Sequence, residues 1–184
     1  MAVISTNPQA GADTIKNAVN HLLLAIGEDP TREGLIGTPR RVAKAYGELF
    51  AGYAQDPRKI LSKQFTVEQS GPVTVRGIEF YSMCEHHMLP FFGHVDIEYQ
   101  PRGRVVGLSK LPRLVECFAR RLQLQEQLTQ QIAVAISENL ACEYVRVTVT
   151  ARHLCMQMRG VRGQNSTTQT VFDTRDSVET SKST

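Results

Sequence analysis

The chain has 184 residues, 41% of them hydrophobic, and a net charge of +3 at pH 7. That is the size of one ordinary domain with a short extension, with enough apolar mass to bury a core. No apolar run reaches the roughly 20 residues of a membrane span, and Met1 to Pro30 lacks the basic start and apolar stretch of a signal peptide. The basic pairs Arg40-Arg41 and Arg120-Arg121 are too short for a nucleic-acid surface. The expectation is a soluble, cytoplasmic protein that engages neither membrane nor nucleic acid and keeps its four cysteines as thiols.

Ile15, Val19, Leu22, Leu23 and Ile26 recur at helical spacing up to Gly27-Glu28-Asp29-Pro30, where proline cannot continue a helix. Thr38 as N-cap and Pro39 at the first helical position open a second helix with the stripe Val42, Ala45, Leu49 and Phe50. These helices form an N-terminal arm assigned to residues 1–60, and residues 61–184 form the main domain. Ala54 to Gly71 reads as a polar, aperiodic connection.

From Pro72 the period changes to two. Ile78 and Phe80 share parity with Cys84, and Val95, Ile97 and Tyr99 follow Pro90-Phe91-Phe92-Gly93, which predicts an antiparallel pair. A helix capped by Ser109 carries Leu111, Leu114, Val115, Phe118 and Leu122, and another carries Leu124, Leu128, Ile132, Ala135, Ile136 and Leu140. Cys117 and Cys142 fall in these helical patterns and read as small buried hydrophobes. Val145, Val147, Val149 and Ala151 then predict a strand whose parity runs on into His153 and Cys155. A last strand is predicted within Thr167 to Phe172, followed by a Ser/Thr-rich tail to Thr184 expected to lack regular structure. The order of helices and strands predicts an α+β fold with a largely antiparallel sheet, and no glycine-rich fingerprint supports a Rossmann or P-loop domain.

Chemistry concentrates in Cys84-Glu85-His86-His87 and in His153-x-Cys155. Five thiol and imidazole groups exceed what one zinc ion takes, three ligands plus water at a catalytic site or four at a closed structural one. Cys84 and His87, three apart, suit one metal, and the surplus imidazoles suggest acid/base work. His21 and His94 stand alone and read as surface residues. Ser109, Lys110 and Arg113 at a helix start form a candidate anion cradle, Arg159 adds a guanidinium near Cys155, and Glu126 lies in a first helical turn.

These motifs together resemble the GTP cyclohydrolase I family. The resemblance runs through Arg32-Glu33-Gly34-Leu35, Thr38-Pro39-Arg40-Arg41-Val42-Ala43-Lys44, Cys84-Glu85-His86-His87, Gly107-Leu108-Ser109-Lys110, Phe118-Ala119-Arg120-Arg121-Leu122, Gln125-Glu126, His153-Leu154-Cys155 and Met158-Arg159-Gly160, covering most of Gly27 to Thr168. It implies Zn2+ held by Cys84, His87 and Cys155 with water in the fourth position, and His86 and His153 as catalytic acid/base groups. It implies Glu126 with Gln125 at the guanine edge, and Ser109, Lys110, Arg113 and Arg159 around the ribose and triphosphate of GTP. The implied fold is a tunnel-type α+β domain over 61–184, assembled as a homo-oligomeric ring, usually of ten subunits, with active sites shared between chains. The implied reaction releases C8 of guanine as formate and ends at 7,8-dihydroneopterin triphosphate.

The sequence departs from the family pattern at Pro112 and after Thr167, where a short tail stands in place of a small-residue strand and final helix. Two competing readings are an enzyme of the same fold that stops at the formamidopyrimidine or acts on a related pterin, and a non-catalytic module with His86 or His153 closing a four-ligand zinc site.

Overall fold

The computed structural model describes residues 8–68 and 71–176, so the tail expectation for residues 177–184 lies outside the described residues. The chain divides into two compact units, Met1–Phe50 and Ala51–Thr184. In the first, α1 (Pro8–Ala25) packs against α2 (Thr38–Leu49). Helix α1 ends where Gly27 adopts φ 85°, its N–H donating to Leu24 O while the Glu28 N–H donates to Leu23 O. This paired closure satisfies two carbonyls the helix leaves open and needs a residue at ease in the left-handed region. Leu23 is buried as expected, but Leu22 and Ile26 are 58% and 65% exposed. In α2 the buried positions are Pro39 and Ala43 rather than Ala45, and the cap is Gly37. Thr38 is the first helical residue, and its hydroxyl accepts from the Arg41 guanidinium instead of capping.

The stretch expected to be an aperiodic connection contains α3 (Pro57–Leu61) and β1 (Gln64–Thr66). Asp56 caps α3 by accepting from the Arg58 N–H at 3.0 Å, and Pro57 supplies the preset first turn. Leu61 is fully buried, so this segment packs into the second unit.

The second unit is α+β. A five-stranded sheet runs in the order β5-β2-β3-β6-β7, formed by β2 (Val73–Cys84), β3 (Pro90–Pro101), β5 (Leu122–Gln123), β6 (Cys142–His153) and β7 (Thr168–Asp173). All pairings are antiparallel except the short parallel bridge of β5 to β2. A separate ribbon joins β1 to β4 (Arg104–Val106). Cys142 therefore opens a strand rather than closing a helix, and it is only half-buried, whereas Cys117 is fully buried.

Helices α4 (Lys110–Ala119) and α5 (Gln125–Asn139) cover one face of the sheet. Leu111, Leu114, Phe118, Leu128, Ile132 and Ile136 meet Phe80, Phe91, Val95, Ile97, Val147 and Val149 in one core. The other face is polar, with His94 exposed opposite Glu79, and His21 on α1 is exposed as well. Within β2 the register slips between Val75 and Ile78, where Gly77 at φ 69° donates its N–H to Asp96 Oδ1 at 2.8 Å. This bulge lets Val73 and Val75 share the inward face with Ile78 and Phe80 despite their opposite parity.

Candidate metal centre and active site

Cys84 is the last residue of β2, and the five residues after it fold back as a turn into β3. The turn is closed by Met88 N–H donating to Cys84 O and Cys84 N–H donating to Leu89 O, and it is tied to β5 by Glu85 N–H donating to Gln123 O. Met88 sits at φ 52°, a left-handed conformation uncommon for a side chain without a local polar group and held here by the turn's hydrogen bonds.

On the other side, β6 ends at His153, and the chain passes directly into the short helix α6 (Leu154–Gln157). Cys155 therefore does not continue the strand parity of His153, contrary to the sequence expectation. The helical turn carries its thiol to the same place by another route: the ligand atoms of Cys84, His87 and Cys155 all lie within 4.8 Å of one another.

The donor set fits a zinc-type ion. Burial and the neighbouring Cys84 thiol push the Cys155 thiol up, while the Arg159 guanidinium pulls it down. A thiol whose ionisation is opposed by burial and by a second thiol, beside an imidazole, is the arrangement a divalent cation would relieve by stabilising the thiolate. His86 is exposed in the same turn, its ring 6.2 Å from that of His87 and nearly perpendicular to it.

His153 is the most constrained imidazole. It stacks on its register partner Phe91, with ring centroids 4.7 Å apart and planes 3° apart. Its Nε2 lies 2.7 Å from Gln125 Oε1. Burial lowers its pKa, and the charge of Glu126 acts in the opposite direction. Glu126 is exposed in the first turn of α5, within electrostatic reach of that ring. Gln125, expected at the guanine edge, has its side-chain amide engaged within the protein: Nε2 donates to Val149 O and Thr168 O at 3.0 Å and to Thr170 Oγ1 at 3.2 Å. Phe91 was absent from the expected site; the aromatic pair directly after the metal turn was its only sequence signal.

Of the remaining expected residues, Ser109, Lys110 and Arg113 lie elsewhere in this unit. Ser109 occupies the N-cap position of α4 without a side-chain capping bond. It follows β4, whose Val106 N–H donates to the Tyr99 hydroxyl. Tyr99 pairs with Val73 at the start of β2, whereas Pro90 pairs with Met83 beside Cys84. Eight residues separate Tyr99 from Phe91 along β3, roughly 26 Å of extended chain. Ser109 and Lys110 thus stand toward the opposite end of the sheet from the cysteines. Arg113 lines a groove of about 250 Å³ with Glu79, Tyr81, Glu116 and Arg120. Arg159 stays with the cysteine cluster.

The sequence profile of the family described as GTP cyclohydrolase I matches residues 15–183. The chain belongs to the GTP cyclohydrolase I family. Its relatives include GTP cyclohydrolase 1 of Campylobacter concisus, 54% identical over 159 residues that cover 86% of this chain and 84% of that protein. The GTP cyclohydrolase 1 of Campylobacter jejuni subsp. jejuni serotype O:6 is 56% identical over 156 residues, 84% of this chain and 82% of the other. The GTP cyclohydrolase 1 of Chlorobaculum tepidum is 54% identical over 158 residues, covering 85% and 70%. The match to the GTP cyclohydrolase I family spans both compact units and includes every residue of the cluster described above. Among the described residues, no helix is long and apolar enough to cross a membrane.

Proposed function

We propose that the chain is a zinc-dependent GTP cyclohydrolase that opens the imidazole ring of guanine in GTP, releases C8 as formate and yields 7,8-dihydroneopterin triphosphate, the entry to pterin and tetrahydrofolate synthesis. The observation that carries this reading is the convergence of Cys84, His87 and Cys155 within 4.8 Å, beside His153 and Glu126, in a member of this family. Zn2+ held by those three residues would supply Lewis-acid activation of water at neutral pH, since zinc with three protein ligands keeps an open position and lowers the pKa of its water to about 7.

The other groups have separable tasks. The Glu126 carboxylate accepts from guanine N1–H and the 2-amino group together, a pattern adenine does not offer. His153 gives a proton to the ring nitrogen as C8 becomes tetrahedral, and Phe91 and Gln125 hold its ring for that transfer. His86, exposed beside His87, transfers a proton at the ribose oxygen during the later Amadori rearrangement. Arg159 with Ser109, Lys110 and Arg113 binds the triphosphate and ribose.

Ser109 and Lys110 follow β4, which is tied to Tyr99 toward one end of β3, whereas the cysteine cluster lies at its Pro90 end. That separation supports a ring of ten subunits in which one chain's phosphate-binding end meets another chain's metal end. A reducing cytoplasm suits four cysteines that are all free. The direct test is incubation with GTP and zinc, reading formate and a fluorescent oxidised pterin. Formamidopyrimidine accumulating without pterin would favour the truncated reaction, and global unfolding on chelation would favour the closed structural zinc site.

A further inference from the structure

The amide of Gln125 is oriented without ambiguity by what surrounds it. Its side chain is buried, with the residue only 2% exposed, at the first position of α5. On one side it faces Val149 O on β6 and Thr168 O on β7. Main-chain carbonyls only accept, so the NH2 group must point to them; turning the amide over would set its oxygen against both carbonyl oxygens.

The hydroxyl relay beside it has a single consistent polarity. Thr129 Oγ1 donates to Gln125 O at 2.7 Å, so across the 2.6 Å contact Thr170 donates to Thr129, and the Thr170 oxygen is left to accept from Gln125 Nε2. Gln125 Oε1 then faces His153 Nε2 at 2.7 Å as an acceptor. An acceptor at that distance requires a hydrogen on Nε2.

We infer that Gln125 is a positioning residue, which holds the hydrogen of His153 on Nε2 and so makes Nδ1 the nitrogen that exchanges a proton with the substrate. The inference rests on the reading of His153 as the proton carrier. In the transfer, the N–H bond at Nδ1 breaks, the proton passes to the guanine ring nitrogen, and the imidazole keeps the electron pair and its Nε2 hydrogen. Phe91 fixes the plane of the ring and Gln125 fixes its rotation within that plane, so the two contacts together define one orientation. The consecutive residues Gln125 and Glu126 then divide the work, the buried one acting through His153 and the exposed one available to the base.

The test measures kcat and KM for GTP, zinc content and thermal stability of the full zinc-loaded protein as wild type, Gln125→Met, Gln125→Glu, His153→Ala and the double variant Gln125→Met/His153→Ala. Gln125→Met should lower kcat by about 10–10²-fold with little change in KM and full zinc, the usual cost of losing a group that orients a functional histidine. Gln125→Glu, whose protonated carboxyl offers one donor to a carbonyl and one acceptor to Nε2, should recover most of that loss. Added to His153→Ala, Gln125→Met should change kcat by less than about twofold, because its whole effect runs through the absent ring.

Wild-type kcat with reduced thermal stability would overturn the inference and make Gln125 a structural strut. A rise in KM alone would overturn it in favour of substrate contact, as would an undiminished loss in the double variant. Should Gln125→Met fail to fold, Gln125→Asn takes its place, keeping a buried amide but drawing its oxygen back by one bond. Should His153→Ala retain full kcat, the proton-carrier reading itself fails, an outcome distinct from a silent Gln125→Met beside an impaired His153→Ala.

Discussion

Phe91 and His153 are register partners on adjacent strands, and their rings lie parallel with centroids 4.7 Å apart. Phe91 is fully buried, so an imidazole at the end of β6 inherits the rigidity of the core. Phe91→Leu keeps the apolar volume approximately and should cost about 1–1.5 kcal/mol of stability. It removes the flat surface under the ring, so kcat should fall by roughly 10–10²-fold, the scale of a misplaced catalytic group, while zinc stays bound. Steady-state kinetics beside a melting curve checks this; proportionate small losses in both would reduce the stack to ordinary packing.

The metal assignment separates the four cysteines. Cys155→Ser should lose zinc and GTP turnover, and Cys117→Ser should keep both, because the Cys117 thiol lies in α4 against Gln55 O and Arg121 instead of in the cluster. Metal analysis of the purified variants decides it. Equal zinc in both would remove Cys155 from the ligand set.

Base recognition is predicted to rest on Glu126. ATP should be rejected by roughly 10⁴–10⁵, the discrimination available when a polar site is left facing an analogue without the matching groups. Glu126→Ala should lower kcat/KM for GTP by about 10²-fold, the loss of two charge-assisted hydrogen bonds, with zinc unchanged. Unaltered kcat/KM would leave the carboxylate as a partner of the α5 dipole only.

Sharing of sites between chains has a genetic test. Cys155→Ser damages one end of the sheet and Lys110→Ala the other, and each alone should be inactive. Assembled together from equal amounts, they should regain activity in about a quarter of sites, those that pair the two undamaged ends. No recovery in mixed assemblies would confine each active site to one chain.

A pH-dependent contribution to stability is predicted at the end of β7. Asp173 is nearly buried and accepts from Arg175 Nε and Nη2, and Arg175 stacks over Tyr144 at 4.0 Å. The Arg175 hydrogen bonds hold the Asp173 carboxyl below its usual range. A carboxyl whose folded pKa is depressed stabilises the fold above its unfolded pKa of about 3.9 and loses that contribution as pH falls through the folded value. The melting temperature of wild type should therefore exceed that of Asp173→Asn near neutral pH, with the gap closing below about pH 4. A gap independent of pH would assign the difference to packing.

Much of this molecule was legible from pattern. The period-two runs of Val95, Ile97 and Tyr99 and of Val145, Val147 and Val149 became the central strands, and the Cys84 turn fell between β2 and β3 as expected. Cys155 shows where pattern fails: nothing between His153 and Leu154 marks the switch from strand to helix, because neither glycine nor proline interrupts the run. Asp56-Pro57 did carry a helix-start signal, and the polar composition around it masked α3. The engagement of Gln125 with Val149 and Thr168 is a tertiary property, fixed only once β6 and β7 lie beside the start of α5. A single sequence groups Gln125 with its neighbour Glu126, whereas its hydrogen bonds form only where two strands, β6 and β7, meet the start of α5.

The bulge at Gly77 gives β2 something like a reading frame. Upstream, odd-numbered Val73 and Val75 face the core; downstream, even-numbered Ile78 and Phe80 do, on the way to Cys84. Removing one residue there would put the two halves out of phase. Either the partly buried valines would turn to water, at less than the about 1.5–3 kcal/mol that losing full burial costs a side chain, or the downstream half would flip and carry the Cys84 thiol to the wrong side of the sheet. A single-residue deletion some seven positions from the nearest metal ligand would then act as a frameshift in space, forcing a choice between a sound core and a metal site.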